Sequence, residues 1–240
     1  MNERPLRVSV VVPALNEERT LAAVASAVCE ALADRELELV IVDDGSSDAT
    51  PKVIAELAAR DPRIRHARHE RPRGKGSAVR TGFALATGDV LVIQDADLEY
   101  LPRDIPTLLR PLDEGRADAV YGSRFLGAEH SVNYFWTTLA NKGITLAANL
   151  VYNTNFTDLY TGYKAVRADC VRPLHLTSAT FTIEAELTAK LWRSGARFYE
   201  VPIRYRARSY REGKKIRAAD ALRALAAIVG HRFTRLTTAG

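Results

Sequence analysis

In the stretch VLVIQDADLE, the apolar residues 90–93 run straight into Asp95, Asp97 and Glu99. A short unbroken apolar run is the signal of a strand buried on both faces, so the carboxylates fall just beyond its end. Carboxylates crowded at the edge of a core repel one another unless a positive group stands among them. Oxygen ligands of this kind suit Mg²⁺ or Mn²⁺, hard cations that leave positions for substrate phosphates, and Asp95, Asp97 and Glu99 are therefore candidate metal ligands. A salt-bridged or solvent-exposed turn has the same spacing, and the rest of the chain has to decide between them.

Two other stretches carry polar groups that could meet the same ligand. Asp43 and Asp44 lead into Gly45, Ser46, Ser47 and Asp48, a turn whose carboxylates and hydroxyls can accept from a base N–H or a ribose hydroxyl. In RPRGKGSA, Gly74 and Gly76 flank Lys75. Glycines allow close backbone approach and the helix that follows presents free N–H groups, the outline of a phosphate cradle. It is not a P-loop, whose terminal Lys-Ser or Lys-Thr pair is absent, and no GxGxxG follows the first strand to suggest a dinucleotide oxidoreductase.

The elements that position these residues alternate. Residues 8–12 form an apolar run stopped by Pro13, after which Asn16 can cap a helix with Leu21, Val24, Ala25, Val28 and Leu32 at helical spacing. A second strand over 37–42 ends in Asp43 and Asp44. Thr50 as N-cap and Pro51 at the first helical position then predict a helix burying Val53, Ile54, Leu57 and Ala58. A short strand over 64–66, a helix over 74–87 and the strand at 90–93 complete a βα succession with short connections, which implies a mostly parallel sheet. Ligands bind beyond the carboxyl ends of such strands, where Pro13, Asp43 and Asp95 all fall.

The second half is less regular. It predicts a helix over 101–112, a strand over 117–121 ending in GSR at 122–124, and a loop over 125–135. A helix over 137–152 carries an apolar side that fits core, an apolar acceptor or a bilayer surface. NTNFTDLYTGYKAVR reads as a polar and aromatic connection, followed by a helix within 181–192 capped by Thr182, a strand over 198–202 and a helix over 218–229. Between these last two, Arg204, Arg206, Arg208, Arg211, Lys214, Lys215 and Arg217 crowd together.

The chain has 240 residues, 47% apolar and 26% charged, which suits one sizeable core and excludes disorder. Cys29 and Cys170 form neither a zinc spacing nor a disulfide framework, so a reducing cytosolic setting is expected. MNERPLR passes directly into a strand without a signal-peptide run, and no apolar run approaches ~20 residues, so no spanning helix is expected. The net charge of +5 suits nucleic acid, an anionic membrane face or phosphorylated small molecules. Aromatic residues are not interleaved with the basic ones as in a nucleic-acid module, so nucleic acid is not the expected partner.

Several landmarks occur together in one order: Pro13, Asn16 and Glu17 in VVPALNE; Asp43 to Ser46 in VDDGSSD; Gly74, Lys75 and Gly76; Asp95 and Asp97 in QDADLE; GSR at 122–124; Asp158, Thr161 and Gly162 in DLYTGYK; and Glu200, Val201 and Pro202 followed by Arg208 and Lys214. In this the chain resembles the inverting family 2 glycosyltransferases, and within them the dolichyl-phosphate mannosyltransferase and polyprenyl-phosphate glycosyltransferase group. The resemblance covers nearly the whole chain. It implies an α/β GT-A nucleotide-diphospho-sugar transferase fold with a mostly parallel central sheet and helices on both faces. A single domain would span residues 1–240, with 204–240 as a basic loop and C-terminal helical extension.

The activity implied is metal-dependent, inverting transfer of a hexose from a UDP or GDP sugar to a polyprenyl or dolichyl phosphate. Transfer to a hydroxyl of a polysaccharide, glycolipid or small molecule is the alternative, and noncatalytic nucleotide-sugar binding a third reading. By resemblance, Pro13, Leu15, Glu17, Asp44 and Asp95 surround the nucleoside, with Asp44 near uracil or guanine and Lys75 in the same donor site. Asp97, with Asp95 and Glu99, holds Mg²⁺ or Mn²⁺ against the diphosphate. Arg124 sits on the donor side of the sugar. Arg208 and Lys214, with Ser123, meet the donor diphosphate or the acceptor phosphate, while Arg211, Lys215 and Arg217 read as a solvated basic face. Asp158 is the candidate base for a hydroxyl acceptor, or else caps the TGYK turn. Many relatives append transmembrane helices and carry a serine where this chain has Gly213. A cytoplasmic enzyme with transient contact at the cytoplasmic, anionic membrane face is the expectation.

Overall fold

A computed structural model describes residues 5–127, 135–206 and 218–233. Its strands are β1 (Val8–Ala14), β2 (Leu37–Asp43), β3 (Ile64–Arg68), β4 (Val90–Ile93), β5 (Ala119–Ser123), β6 (Lys164–Arg167) and β7 (Phe198–Pro202). The helices are α1 (Leu21–Ala31), α2 (Thr50–Arg60), α3 (Lys75–Leu85), α4 (Ile105–Asp113, entered through a 3₁₀ turn at Pro102–Asp104), α5 (Phe135–Tyr152), α6 (Ala168–Val171), α7 (Ile183–Arg193) and α8 (Ala218–Phe233). The strands form one sheet in the order β3-β2-β1-β4-β6-β5-β7. All pairings are parallel except those of β6, which runs antiparallel to both β4 and β5.

Strand periodicity divides the core into two layers. Val8, Val10 and Val12 of β1 with Leu39 and Ile41 of β2 face Leu21, Val24 and Val28 of α1, Ile54 of α2 and Ile105 and Leu108 of α4. Val11, Val40 and Val42 point the other way, onto Ala78 and Val79 of α3 and into the layer that holds Ile144 of α5, Leu187 of α7 and Ile228 of α8. Each such side chain removed from water contributes about 1.5–3 kcal/mol, so β1, β2 and β4 at the centre are the most firmly held part of the molecule. The α/β fold with helices on both faces is the one expected.

Four local expectations change. Residues 164–167, read as a connection, form β6; a four-residue strand with Lys164 and Arg167 at its ends shows no apolar alternation. β5 lies two residues later than the periodicity predicts, because Ala117 N–H is still bonded to the Pro111 carbonyl of α4 at 3.1 Å and the ladder with β7 opens with Ala119 N–H on the Arg197 carbonyl. Asn16 does not cap α1, which starts after Thr20. It adopts a left-handed φ of 57° and ties two loops together. Thr50 is already inside α2, and its hydroxyl accepts from Glu17 N–H at 2.8 Å instead of capping the helix.

Candidate active site at the carboxyl ends of the strands

The loops after β1 and β2 are stitched into one platform. Asn16 N–H donates to Ser46 Oγ at 2.9 Å, Ser47 N–H donates to Asn16 Oδ1 at 2.9 Å, and Asp44 N–H donates to Ala14 O at 2.8 Å. Pro13 and Glu17 are partly covered, and Leu15 between them is 42% exposed. Asp43 does not face the cleft freely: Oδ1 accepts from Ser46 N–H at 2.8 Å, and Oδ2 pairs with Arg68 Nε at 3.0 Å.

Asp44 organises the neighbouring turn. Its Oδ1 meets His69 Nδ1 at 2.7 Å and accepts from Arg73 N–H at 3.0 Å, and Oδ2 accepts from Gly74 N–H at 2.7 Å. A carboxylate offers about four lone-pair sites, so these three contacts leave room for one more donor, such as a base N–H. His69, which no sequence motif singles out, is fixed from its far side by Thr81 Oγ1 at 2.9 Å.

The glycines of GKG have a reason other than a phosphate cradle. A Cβ at Gly74 would lie 2.4 Å from the Ala179 carbonyl oxygen, and one at Gly76 would lie 2.5 Å from that of Ser178. Gly74 also has a left-handed φ of 97°. The turn is glycine-rich so that the loop before α7 can close on it, and that closure places Lys75 over the end of β4.

There Lys75 Nζ pairs with Asp95 Oδ1 at 2.7 Å and faces Glu184 Oε1 at 3.5 Å. Burial by itself would lower the Lys75 pKa, but the charges of Asp95 and Glu184 outweigh it and raise the group above an ordinary lysine. Gly162 makes the approach possible, since a Cβ there would fall 2.7 Å from Asp95 Oδ2 and 3.1 Å from Lys75 Nζ. Asp97 Oδ1 accepts from Glu99 N–H at 3.0 Å. Glu99 accepts from the Tyr205 hydroxyl at 2.6 Å, and its carbonyl accepts from Arg206 N–H at 2.9 Å. Tyr100 and Tyr205 form an antiparallel bridge, with ring centroids 5.2 Å apart.

Asp95, Asp97 and Glu99 thus follow β4 as expected but do not form a preassembled cage: among the described residues no three His, Cys, Asp or Glu side chains gather as metal ligands. Asp95 is held by an ammonium and Glu99 by a phenol. The donor set still fits Mg²⁺ or Mn²⁺, which are commonly held by one or two carboxylates together with substrate phosphates, and Asp97 is the residue best suited. Glu99, expected as a ligand, here also anchors the segment at 205–206 through its side chain and its carbonyl. Arg208 and Lys214 lie outside the described residues, as do Arg211, Lys215 and Arg217, but Arg206, two positions before Arg208, is bonded to the carboxylate loop itself.

On the β5 side, Arg124 and Asp158 form a fork, Nε to Oδ2 at 2.6 Å and Nη2 to Oδ1 at 2.7 Å, with Arg124 N–H also donating to Oδ2 at 3.0 Å. Asp158 therefore does not cap the TGYK turn with its side chain, and both oxygens that a base would use are engaged. Glu200 of β7 positions this pair by accepting from Asp158 N–H at 3.0 Å and Thr157 N–H at 2.8 Å. Burial pushes the Glu200 carboxyl upward in pKa, against these donors. Ser123, expected to meet a phosphate, is fully buried, accepts from Phe125 N–H at 3.1 Å and meets Thr157 Oγ1 at 2.6 Å, so here it supports the turn. The Arg124 guanidinium also lies 5.2 Å from the Tyr205 ring centroid, joining this side to the carboxylate loop.

Comparisons with known proteins identify the family and the fold. The pattern of glycosyl transferase family 2 matches residues 9–174. The dolichol-phosphate mannosyltransferase of Pyrococcus furiosus is 33% identical over 88% of this chain and 61% of its own length. The undecaprenyl-phosphate mannosyltransferase of Micrococcus luteus is 34% identical over 87% of each chain. In fold, the chain matches glucosyl-3-phosphoglycerate synthase from Mycobacterium tuberculosis, solved with Mn²⁺, UDP and phosphoglyceric acid, at a TM-score of 0.73 and 23% identity over 96% of this chain and 80% of that one. With the family pattern spanning both the stitched loops after β1 and β2 and the Arg124–Asp158 fork, the chain belongs to glycosyl transferase family 2.

Proposed function

We propose that this protein transfers a hexose, with inversion, from a UDP or GDP sugar to a polyprenyl phosphate. The observation that carries the choice of acceptor is the Arg124–Asp158 fork. A hydroxyl acceptor arrives protonated and requires a base, whereas both oxygens of the carboxylate suited to that task are held by a guanidinium. A phosphate monoester, with its second pKa near ~6, brings an oxygen already ionised at neutral pH. The two mannosyltransferases named above, whose names specify lipid phosphates, support the same acceptor class.

In this reading Leu15 and Pro13 flank the base, Asp44 accepts its N–H, and the 13–17 and 44–48 loops hold the ribose. Asp97 would hold a divalent cation against the diphosphate, whose chemistry is to take up the negative charge that develops as the nucleoside diphosphate leaves. Arg124, oriented by Asp158 and Glu200, faces the sugar from the other side, and Arg208 and Lys214 supply the cations for the acceptor phosphate. The acceptor oxygen attacks the anomeric carbon opposite the leaving group.

A lipid acceptor calls for a membrane-facing surface. No helix among the described residues is long and apolar enough to cross a membrane. α5 instead exposes Phe135, Trp136, Leu139, Leu146 and Leu150 along one side, and its neighbour α8 adds Val229 and Phe233. We assign this face to peripheral contact with an anionic leaflet. The deciding experiment presents UDP, GDP and TDP sugars with polyprenyl phosphate and weighs the product. A hexosyl polyprenyl phosphate from one donor is expected, and transfer only to hydroxyl acceptors would overturn the assignment.

A further inference from the structure

Beneath Lys75 lies a second ion pair that the reaction as described does not use. Lys164 of β6 is wholly buried; its Nζ meets Glu184 Oε2 at 2.5 Å, donates to the Thr161 carbonyl and lies 4.6 Å from the Tyr121 ring centroid. Glu184, in the first turn of α7, is equally enclosed. Its second oxygen, Oε1, makes no hydrogen bond among the described residues and faces Lys75 Nζ at 3.5 Å. On its other side the same ammonium is 2.7 Å from Asp95 Oδ1. Four charges of alternating sign therefore run inward from the cleft: Asp95, Lys75, Glu184 and Lys164.

A buried ion pair is a poor source of stability, because desolvation offsets much of its attraction. The inner pair is better explained by what it does to Lys75. Asp95 is wanted by the donor site, yet a cation already sits on it, and two cations brought onto one carboxylate repel each other. Glu184 Oε1 is an ionic acceptor without a hydrogen bond, within reach of the flexible lysine stem. We propose that Lys75 is a place-holding cation with two seats: it neutralises Asp95 while the donor site is empty, and crosses to Glu184 Oε1 when Asp95 turns to the nucleoside diphosphate and its divalent cation. Glu184 and Lys164 are positioning residues in this exchange, Lys164 keeping Glu184 fixed from below. The inference rests on the donor reading given above.

The test is calorimetric titration of UDP and of GDP, each with Mg²⁺, onto the wild-type protein, Lys75→Met, the double variant Lys164→Met/Glu184→Gln, and the triple variant. Changing 164 and 184 together removes both buried charges, so neither is stranded. Thermal melts check folding. The nucleotide that the wild type binds should bind about tenfold more weakly to the double variant, within the usual range for coupled neighbours. In the Lys75→Met background the same two changes should alter affinity by less than about twofold. Glu184→Asp, which keeps the inner charge but withdraws Oε1 from Lys75, should show the same dependence on Lys75 if the double variant does not fold. Unchanged affinity, or equal weakening with and without Lys75, would overturn the exchange while leaving the donor reading intact. Binding of neither nucleotide by the wild type would instead remove the donor reading, and this inference with it.

Discussion

Asp158 and Arg124 are joined at two points, 2.6 and 2.7 Å, by side chains that are almost fully buried. Asp158→Asn keeps the shape of that contact but leaves a buried guanidinium without its counter-charge, and breaking such a pair costs on the order of 3–5 kcal/mol. A clear fall in melting temperature is expected, with part of the loss recovered in Arg124→Gln/Asp158→Asn. Turnover on polyprenyl phosphate should decline without the pH profile losing a carboxylate limb. Disappearance of an acid limb in a correctly folded Asp158→Asn would return this residue to the role of base.

Asp97→Ala tests the cation. Removing a main electrostatic contributor to leaving-group stabilisation commonly costs about 100-fold or more in turnover, and that loss is expected here with the fold unchanged. Wild-type turnover should also vanish in excess EDTA and return with Mg²⁺ or Mn²⁺. Full activity of the metal-stripped protein would sink the assignment.

The parallel half of the sheet was legible because its signals are local. The run at 90–93 is apolar throughout and those at 8–12 and 37–42 are broken only by Ser9 and Glu38, which bond each other, and the polar residues that follow these runs fall at the cleft as the strand directions require. What the residues at the site touch was not legible, because the partners are remote: Arg124 and Asp158 are 34 positions apart, and Lys164 and Glu184 are 20 apart. A lysine inside Tyr163-Lys164-Ala165-Val166 and a glutamate among apolar residues in α7 were the available signals that buried charge needed a mate. The glycines at 74 and 76 misled in another way. Sequence shows that the backbone must be approached closely, but not whether by a ligand or, as here, by the 178–180 loop.

That packing is itself testable. A methyl group at Gly76 meets carbonyl oxygens at 2.5 and 2.7 Å, and one at Gly74 adds left-handed backbone strain. Overpacking of this kind costs about 1–3 kcal/mol, and the left-handed conformation about 1–2 more. Gly74→Ala should therefore be the more destabilising change in a denaturant titration. Both should lose donor affinity as Lys75 shifts. A Gly74→Ala protein of wild-type stability would show that the loop yields.

The same loop gives the protein an acid sensitivity. Glu186 Oε1 and Oε2 accept from the N–H groups of Thr177 and Ser178 at 2.7–3.1 Å, and Oε1 pairs with Lys190 at 2.6 Å. Burial would raise this carboxyl, but Lys190 and the backbone donors outweigh it and bring its pKa to about 2 from an ordinary 4.5. Because the folded pKa is the lower one, the stabilisation is complete above the ordinary value and is lost as pH falls from about 4.5 towards about 2. At about 1.4 kcal/mol per pKa unit the ceiling is about 3 kcal/mol, and solvent screening of the Lys190 pair lowers it. Melting temperature should drop across that window in the wild type and less steeply in Glu186→Gln, whose neutral-pH stability is already reduced. Parallel curves would show that Glu186 is not the group responsible.

The outer face of α5 sets the last expectation. Trp136 and Leu150 are 76% and 77% exposed, at opposite ends of the helix, with Leu139 and Leu146 between them. Large apolar side chains held in water along one side of a helix lose about 1.5–3 kcal/mol each of potential burial, which a bilayer interface can return. Basic residues near an anionic surface add about 1 kcal/mol each, and exposed Lys142, on the same side of α5 as Phe135 and Leu146, is placed to contribute. Flotation with anionic vesicles should carry the wild-type protein upward, and neutral vesicles should carry less. Raising the salt should weaken the charged part, which is screened beyond about 10 Å at 0.1 M, and leave the apolar part. Trp136→Ser/Leu150→Ser should then reduce binding by roughly 10- to 100-fold at any salt concentration, about 1.4–2.7 kcal/mol, which is near half of full burial for two such side chains because an interface covers each only in part. Turnover on a short, water-soluble polyprenyl phosphate should stay near wild type in this variant, while turnover on the full-length lipid in vesicles should fall with binding. Equal flotation of variant and wild type would move the membrane contact to another surface, and no flotation of either would point to an acceptor that meets the enzyme in solution.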